Sequence, residues 1–411
     1  MRLAPPALVR PLEEDWKGTL DAVARTHRWP GSGEVARLAP LLEKLSASYN
    51  DVGRAPEGQD SLLAPRLAFS FPRDVPKAAG AVRELVATGA LTLGSAGALK
   101  VLDLGAGLGA STWGVVRALE AGGALGSVDV TWVDPDPEAL EVAQSILRAR
   151  PPGVVRVHAR AVSADARRVD LRGGRFDLIL LGQVLSEVDR ELSHELRIER
   201  HSDWMRTLLH THLDDHGSLV IVEPALRERT RHLHAVRDRL AAGDGVTVFA
   251  PCLHAEACPA LAHPGDWCHE DLPVDLPTWV APLARAAGLR WQGLTFSYLV
   301  LRRDGVTLAS SMPALGDRVR VVSDALVSKG KREAFICGLL AAKEGTPSGR
   351  VRAMRLNREE SDANVVWEDV RRGDCLTIEP SLDPARPRIG EATVVRRVEP
   401  GAPQLDRERT D

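Results

Sequence analysis

The sequence predicts an α/β protein with a Rossmann-like, doubly wound parallel sheet, a helical cap before it and a small β-rich appendage after it. Three observations lead to this prediction. Short apolar runs alternate with amphipathic stretches between residues 96 and 303, which is typical of a sheet with helices on both faces. A Gly-rich turn follows the first of these runs. The 411 residues also exceed the length of one ordinary domain.

The elements follow from local patterns. Residues 1–95 are predicted to form the helical cap, because Leu, Ala, Glu and Arg recur there with helical spacing. A helix is expected over Ser111–Glu120, and another begins at Pro137, where a missing N–H suits the first helical turn. The six predicted strands are Val101–Leu104, Val128–Val133, Val154–Val162, Phe176–Leu181, Ser218–Val222 and Phe296–Leu301.

Two regions depart from this alternation. Residues 250–272 are rich in Cys, His and Pro, and we interpret them as an insertion into the central domain of residues 96–303. Residues 304–400 contain short alternating runs rich in Val and Arg, which predict a β-rich basic C-terminal domain. Residues 401–411 are polar and charged, and we expect a flexible tail there.

Composition restricts the classes of partner and the compartment. The formal net charge of -3 gives no general attraction to nucleic acid or an anionic membrane, so such a partner needs a local patch. No apolar run approaches the roughly 20 residues of a membrane span, and we expect no membrane partner. The N-terminal residues lack the apolar stretch of a signal peptide, and Glu13, Glu14 and Asp15 do not suit a mitochondrial presequence. We therefore expect a cytoplasmic, bacterial protein.

A nucleoside site is predicted where the first strand meets the Gly-rich turn. Asp103 precedes Gly105, Ala106 and Gly107, and glycine at both positions allows a tight turn and close approach of the backbone to a ligand. A dinucleotide site is the main alternative, but its spacing requires glycine where Ala110 stands. The other alternative is a glycine turn that binds no ligand.

Two further residues complete the predicted site. Asp134 ends the second strand, where a carboxylate can bind ribose hydroxyls, although an aspartate before a proline also suits a helix cap. Gln183 follows the fourth strand, at the carboxyl edge of the sheet where such folds bind ligands. It is either a cofactor contact or an ordinary polar loop residue.

This arrangement resembles class I methyltransferases, which use S-adenosylmethionine. The resemblance implies that Asp103 faces the amino group of the methionyl part of that cofactor. The loop around Gln183 lacks the Asn-Pro-Pro-Tyr type of motif found in amino-group methylases. The sequence therefore identifies neither the methyl acceptor nor a catalytic residue.

A second site is predicted from cysteines. Cys252, Cys258 and Cys268 lie within 17 residues in a Pro-braced segment, and three thiolates suit zinc or an iron-sulfur cluster. Spacing alone slightly favours zinc, because no compact ferredoxin-type run is present. Buried free thiols are the alternative without a metal. The candidates for a fourth ligand are Cys337 and Cys375 or, for zinc, His254, His263 and His269.

Several segments together resemble a methyltransferase-like family of small-ribosomal-subunit assembly proteins found in bacteria and mitochondria. They are the segment from Pro251 to His269, the turn at Asp103, Val222-Glu223-Pro224, and Phe296–Leu301. The resemblance implies a four-iron, four-sulfur (4Fe-4S) cluster bound by Cys252, Cys258, Cys268 and Cys337. Such a cluster would be a structural staple between the appendage and the central domain.

The resemblance also favours Cys337 over Cys375 as the fourth ligand. Cys337 precedes the basic strand Arg350–Leu356 and the stretch from Trp367 to Asp374, which is similar to the Trp-Gly-Asp ending of the family. Two departures put the detailed geometry of the loop in doubt. Glu368-Asp369 replaces a simple Gly-Asp, and nine residues separate Cys258 from Cys268.

A basic region after the central domain predicts contact with RNA. Residues 302–355 contain eleven Lys or Arg against five Asp or Glu, and phosphate contacts supply much of the affinity for RNA. A solvated charged face is the alternative. The predicted contact residues within 318–355 are Arg318, Arg320, Lys329, Lys331, Arg332, Arg350, Arg352 and Arg355.

Three functions therefore stay open at the level of sequence. The first is methylation of small-subunit rRNA, using binding and orientation of the cofactor. The second is a non-catalytic ribosome-assembly factor that binds RNA. The third is a small-molecule methyltransferase with a structural zinc loop.

Overall fold

The computed structural model describes residues 8–50, 62–93, 97–243, 245–340 and 349–398. The predicted tail of residues 401–411 lies outside the described residues. The chain begins with helices, as expected for the cap. These are α1 (Glu14–Thr26), α2 (Val35–Asn50), α3 (Leu63–Pro65), a π-helical turn (Arg66–Ser70) and α4 (Phe71–Thr88). Among the described residues, no helix combines the length and the apolar character needed to cross a membrane.

The central sheet confirms the predicted fold class. Its strands are β1 (Ala98–Leu104), β2 (Gly126–Asp134), β3 (Val155–Ser163), β4 (Phe176–Gly182), β5 (Leu213–Glu223), β6 (Thr247–Ala250), β7 (Glu270–Leu272) and β8 (Leu294–Arg302). The strand order is β3-β2-β1-β4-β5-β8-β6, with β7 also paired to β8. The intervening helices are α5 (Ala110–Ala121), α6 (Pro137–Ala149), α7 (His194–Thr207), α8 (Arg227–Ala241) and α9 (Ala281–Ala286).

The sheet differs from the prediction in direction at one side. The first five strands pair in parallel, whereas β8 runs antiparallel to its neighbours β5, β6 and β7. An apolar run identifies a buried strand but carries no information on its direction. The strands β6 and β7 were not predicted, since runs of four and three residues are too short to recognise.

Successive residues of the central strands point to opposite faces of the sheet. Val101 of β1 therefore joins one apolar core, together with the N-terminal helices, whereas Leu102 joins a second core with α7 and α8. Helix α4 packs closely on α5, and a Cβ atom at Gly114 of α5 would lie 2.4 Å from the backbone oxygen of Val75. This contact holds the N-terminal helices beside the first strand.

The C-terminal region forms a second, antiparallel sheet with its own core. Its strands are β9 (Asp317–Val321), β10 (Leu326–Ser328), β11 (Lys331–Leu339), β12 (Gly349–Leu356), β13 (Cys375–Glu379) and β14 (Val394–Val398). Trp367 is fully buried in this core. The described part of the region is β-rich, as the sequence predicts.

A buried ionic network joins the N-terminal helices, the central sheet and the C-terminal region. Arg320 of β9 donates hydrogen bonds to Glu84 of α4 and, over 2.9 Å, to Glu270 of β7. Arg83 also bonds Glu270 at 3.0 Å, and the hydroxyl of Tyr298 donates to Glu84 at 2.7 Å. All of these side chains are buried. Removing one partner from such a network costs about 3–5 kcal/mol, because a buried charge is left uncompensated.

Candidate functional site

A cavity of about 830 Å³ opens at the carboxyl edge of the parallel strands. This is the position where open α/β sheets bind their ligands. Five of the six residues predicted to bind the cofactor line it: Gly105, Ala106, Gly107, Asp134 and Gln183. Asp103 is not among the lining residues.

The Gly-rich turn has the backbone conformation that requires glycine. Gly105 and Gly107 have φ angles of 68° and 51°, in the left-handed region. The backbone N–H groups of Gly105 and Ala106 donate to the oxygen of Val133, at 2.8 and 3.0 Å, which fixes the turn against β2. A Cβ atom at Gly105 would lie 2.4 Å from Cγ2 of Val184. The turn therefore brings bare backbone to the cavity wall.

Asp134 anchors the turn rather than capping a helix. Its carboxylate accepts the N–H of Gly107 at 2.8 Å and that of Asp136 at 2.9 Å. Burial raises its pKa. The helix cap of α6 is Asp136, which accepts from the N–H groups of Glu138 and Ala139. The alternative role that the sequence allowed for Asp134 thus falls to Asp136.

Asp103, on β1, lies beneath the cavity wall and contacts the first turn of α5. One carboxylate oxygen accepts the hydroxyl of Thr112 at 2.7 Å and its N–H at 3.2 Å, while Thr112 also accepts from the indole of Trp132 at 2.9 Å. The other oxygen has no hydrogen-bond partner among the described residues. Burial raises the pKa of Asp103 to about 7. Asp103 therefore supports the wall, and its predicted contact with the cofactor stays a prediction.

Three charged residues that the sequence did not single out also line this cavity. Arg66, on the π-helical turn, lies 3.7 Å from Asp136, and a Cβ atom at Gly107 would lie 2.8 Å from its Nη2. Lys77 and Asp74 form an ion pair of 2.9 Å on α4. The available sequence signal was the pair of opposite charges Asp74 and Lys77, three residues apart, which a helix brings side by side.

The two charges on α4 have shifted proton affinities. Burial opposes the ionisation of Asp74, but Lys77 and Arg73 outweigh it and bring the pKa of Asp74 to about 2. Burial and the neighbouring Arg73 lower the pKa of Lys77 to about 8. The pair is therefore ionised at neutral pH at the wall of this cavity.

The cysteines lie around a second, smaller cavity of about 50 Å³. Its lining includes the four predicted metal ligands, Cys252, Cys258, Cys268 and Cys337. The first three come from the segment between β6 and β7, and Cys337 comes from β11. Cys375 does not line this cavity but is buried beside Arg320. His254 and His269 are part of the lining, and Nε2 of His254 lies 3.4 Å from the sulfur of Cys337.

The thiols have both basic and acidic neighbours. Burial raises the pKa of Cys258 and Cys268 to about 12, and that of Cys337 well above its ordinary range. Asp238 near Cys258 and Glu270 near Cys268 act in the same direction. Arg237 acts against this near Cys258, as do Arg372 near Cys268 and Arg350 near Cys337, so three of the four thiols have an arginine nearby.

The thiols do not converge on one point. Within the described ranges, no three His, Cys, Asp or Glu side chains are placed to hold a single metal ion. Four thiolates around one zinc ion stand about 3.8 Å apart, given zinc–sulfur bonds of about 2.3 Å. A 4Fe-4S cluster attaches each thiolate to a different iron, so its ligands surround a larger core. The four thiols that line this cavity are therefore not preformed as a site for a single ion.

The predicted basic footprint is partly internal. Arg320 and Arg355 are 3% and 1% exposed, so these two residues cannot contact RNA, and including them in the footprint was wrong. Arg320 pairs with the buried Glu84, whereas Arg355 pairs with Glu368, whose side chain is 48% exposed. The others within 318–355 are accessible to differing degrees, with Lys329 exposed at a hairpin turn.

The strand order, the Gly-rich turn and the cavity at the strand ends define the chain as a class I methyltransferase-like protein. The family model described as "Mitochondrial small ribosomal subunit Rsm22" matches residues 83–345. This match covers more than half of the chain, which therefore belongs to this family. No curated protein matches it in sequence.

Similar solved structures are distant methyltransferases. The plantazolicin methyltransferase BpumL in complex with SAH is 12% identical, with 66% of this chain and 98% of that chain covered and a TM-score of 0.35. A putative RNA methyltransferase from Pyrococcus horikoshii is 15% identical, with coverages of 55% and 83% and a TM-score of 0.31. A SAM-dependent methyltransferase from Agrobacterium tumefaciens is 17% identical, with coverages of 56% and 62% and a TM-score of 0.30. Likenesses at this level carry no information on the substrate.

The substitution Gly107→Ala tests the cavity wall. It places a Cβ atom beside Arg66 and strains a left-handed residue, so we expect affinity for S-adenosylhomocysteine to fall about tenfold, a change of about 1.4 kcal/mol. Isothermal titration calorimetry measures this affinity. Gly123→Ala is the matched control, because Gly123 also has a positive φ, of 82°, but lies outside the cavity lining. Equal losses in both variants would contradict the assignment.

Proposed function

We propose that this protein binds S-adenosylmethionine in the larger cavity and methylates RNA of the small ribosomal subunit in the cytoplasm. Two observations taken together support the proposal. Five predicted cofactor residues line one cavity, in a chain that belongs to a small-ribosomal-subunit family. The family disfavours the alternative of a small-molecule methyltransferase with a zinc loop.

The residues of the cavity have distinct parts in this proposal. The turn of Gly105 and Gly107 admits the cofactor close to the backbone, and Asp134, already holding the turn, offers its carboxylate to the ribose. The bound cofactor supplies an electrophilic methyl group. Arg66 closes the cavity from the side of the N-terminal helices, and the protein contributes mainly by orienting donor and acceptor.

A second candidate is an assembly factor that binds the cofactor without transferring its methyl group. The loop around Gln183 favours it, because this loop lacks the Asn-Pro-Pro-Tyr type of motif found in amino-group methylases. Both candidates share the cofactor, the ribosomal partner and the cavity. They differ only in whether a methyl group reaches RNA.

Sedimentation with labelled cofactor tests the proposal. On a sucrose gradient, we expect the purified full chain to comigrate with small-subunit precursors and to transfer methyl-tritium label from S-adenosylmethionine into their RNA. Comigration without label would support the assembly factor in place of the enzyme. Absence of comigration would overturn the ribosomal function. The isolated large subunit is the control particle.

We also propose that Cys252, Cys258, Cys268 and Cys337 bind a 4Fe-4S cluster. All four line one cavity, and arginines near three of them offset the negative charge of a thiolate-bound cluster. Three ligands lie in one loop and the fourth in β11, so the cluster would fasten the C-terminal region to the central domain. Its contribution would be to stability, since metal binding that needs the folded site stabilises the fold.

Two cysteine substitutions test the ligand set. Cys337→Ser is expected to lose most of the iron and acid-labile sulfide of protein purified without air, whereas Cys375→Ser is expected to keep both. Cys375 is the control, because it is a thiol of the same sheet, on β13, which like β11 pairs with β9, but it does not line the cavity. Loss of iron in the Cys375 variant alone would reassign the fourth ligand. Stoichiometric zinc without iron in the wild-type chain would contradict the cluster.

A further inference from the structure

The C-terminal strands form a small closed barrel. β11 pairs with β9 on one side and β12 on the other, and β13 and β14 continue from β9, all antiparallel. Closure comes from residues just before β14, where the N–H of Met354 donates to Pro387 at 2.9 Å and Ile389 donates to Met354 at 2.8 Å. The strand β10 is an added hairpin strand outside this pattern. The other five strands have the order of an OB-fold. Trp367, which lies between the third and fourth of these strands in the sequence, fills the core.

In OB-folds, the outer face of the second and third strands binds ligands, which here means β11 and β12. Alternate residues point outward, because Ala334, Ile336 and Ala353 point into the core. Cross-strand register places Phe335 opposite Arg352, and Glu333 opposite Met354. We call this outer surface the barrel face; its members are Lys331, Glu333, Phe335, Arg350, Arg352 and Met354.

An aromatic ring surrounded by cations lies at the centre of the barrel face. The guanidinium carbons of Arg350 and Arg352 are 4.5 and 5.9 Å from the ring centroid of Phe335, which is only partly buried. Lys331 and Arg352 share one acid, Glu333, at 3.0 and 2.9 Å. The side chains of Lys331 and Arg352 are 38% and 50% exposed, so both can also reach a ligand.

The two ends of the barrel face are bounded. At one end is the hairpin of β10, where Leu326 and Val327 are 43% and 67% exposed and Lys329 is exposed at the turn. At the other end, the strands are covered by the Cys-rich segment between β6 and β7. The ion pair of Arg350 with Asp266, at 2.8 Å, fixes this segment to the barrel. The open part of the barrel face is therefore a strip with the ring of Phe335 in its middle and basic side chains along it.

We propose that the barrel face binds single-stranded RNA. Stacking on a side-chain ring needs an unpaired base, whereas bases in a duplex already stack on each other. Arg352 beside Phe335, and Lys331 further along β11, would contact phosphates of the same RNA strand. This assignment rests on the residues of the barrel face and not on the fold alone. The identity of the RNA as small-subunit RNA rests on the proposed function.

Fluorescence anisotropy of the full chain tests the proposal with labelled oligo(U) of about 12 nucleotides and an RNA duplex of the same length. We expect Lys331→Ala with Arg352→Ala to weaken oligo(U) binding about tenfold or more and to reduce the salt slope by about 1.4, the value for two phosphate contacts. Phe335→Leu keeps the apolar bulk without the ring. It should weaken binding about fivefold or more and leave the salt slope unchanged.

Arg396→Ala is the matched control, because Arg396 lies on β14 of the same barrel, is 53% exposed and also pairs with one acid, Glu379. We expect it to bind oligo(U) as the wild-type chain does. An unchanged affinity for S-adenosylhomocysteine, measured by calorimetry, shows that each variant is folded. Equal losses in the control, or equal binding of duplex and single strand, would overturn the proposal.

The outcome is separable from that of the proposed function. If oligo(U) binding depends on the barrel face but the chain does not comigrate with small-subunit precursors, the ribosomal function fails and the RNA site stands. If the chain comigrates and the face variants bind oligo(U) and precursors as well as the wild type, the barrel face is not the RNA site. Contact with ribosomal protein through Leu326 and Val327 would then explain the association.

Discussion

The buried pairing of Arg320 with Glu84 and Glu270 is the interaction on which the arrangement of the whole molecule depends. Charges in a low-dielectric interior are tolerated only when each has its partners, so these residues accept one relative placement of three elements. Helix α4 carries Glu84 near its end and Lys77 at the wall of the larger cavity. Glu270 begins β7, directly after the Cys-rich segment between β6 and β7, and Arg320 lies on β9 of the barrel. The two cavities and the barrel face are thereby held in fixed relation.

The sequence was most informative where structure is local. The predicted strands coincide with β1 to β5 and β8 because each is a short apolar run, and the Gly-rich turn was recognisable because only glycine fits it. The direction of β8 and the contribution of Arg66, Asp74 and Lys77 could not be read locally. Direction depends on the path of the chain, and the cavity is assembled from residues distant in sequence.

Charge and cysteine patterns were informative in part. Counting basic residues located the C-terminal region but could not separate exposed side chains from Arg320 and Arg355, which pair inside the protein. Three cysteines were grouped by spacing, whereas Cys337 was linked to them only by resemblance, and the structure brings all four to one cavity. Spacing favoured a single zinc ion. The described residues contain no preformed site for a single ion, and the 4Fe-4S cluster stays a proposal.

The proposed ribosomal function requires this chain to contact RNA of the small ribosomal subunit in the cell. Ultraviolet cross-linking in native cells, followed by sequencing of the RNA bound to the tagged full chain, measures that contact. We expect the cross-linked fragments to concentrate in one or a few unpaired segments of small-subunit rRNA. Fragments spread evenly over other cellular RNAs, or recovery no greater than from an untagged strain, would contradict it.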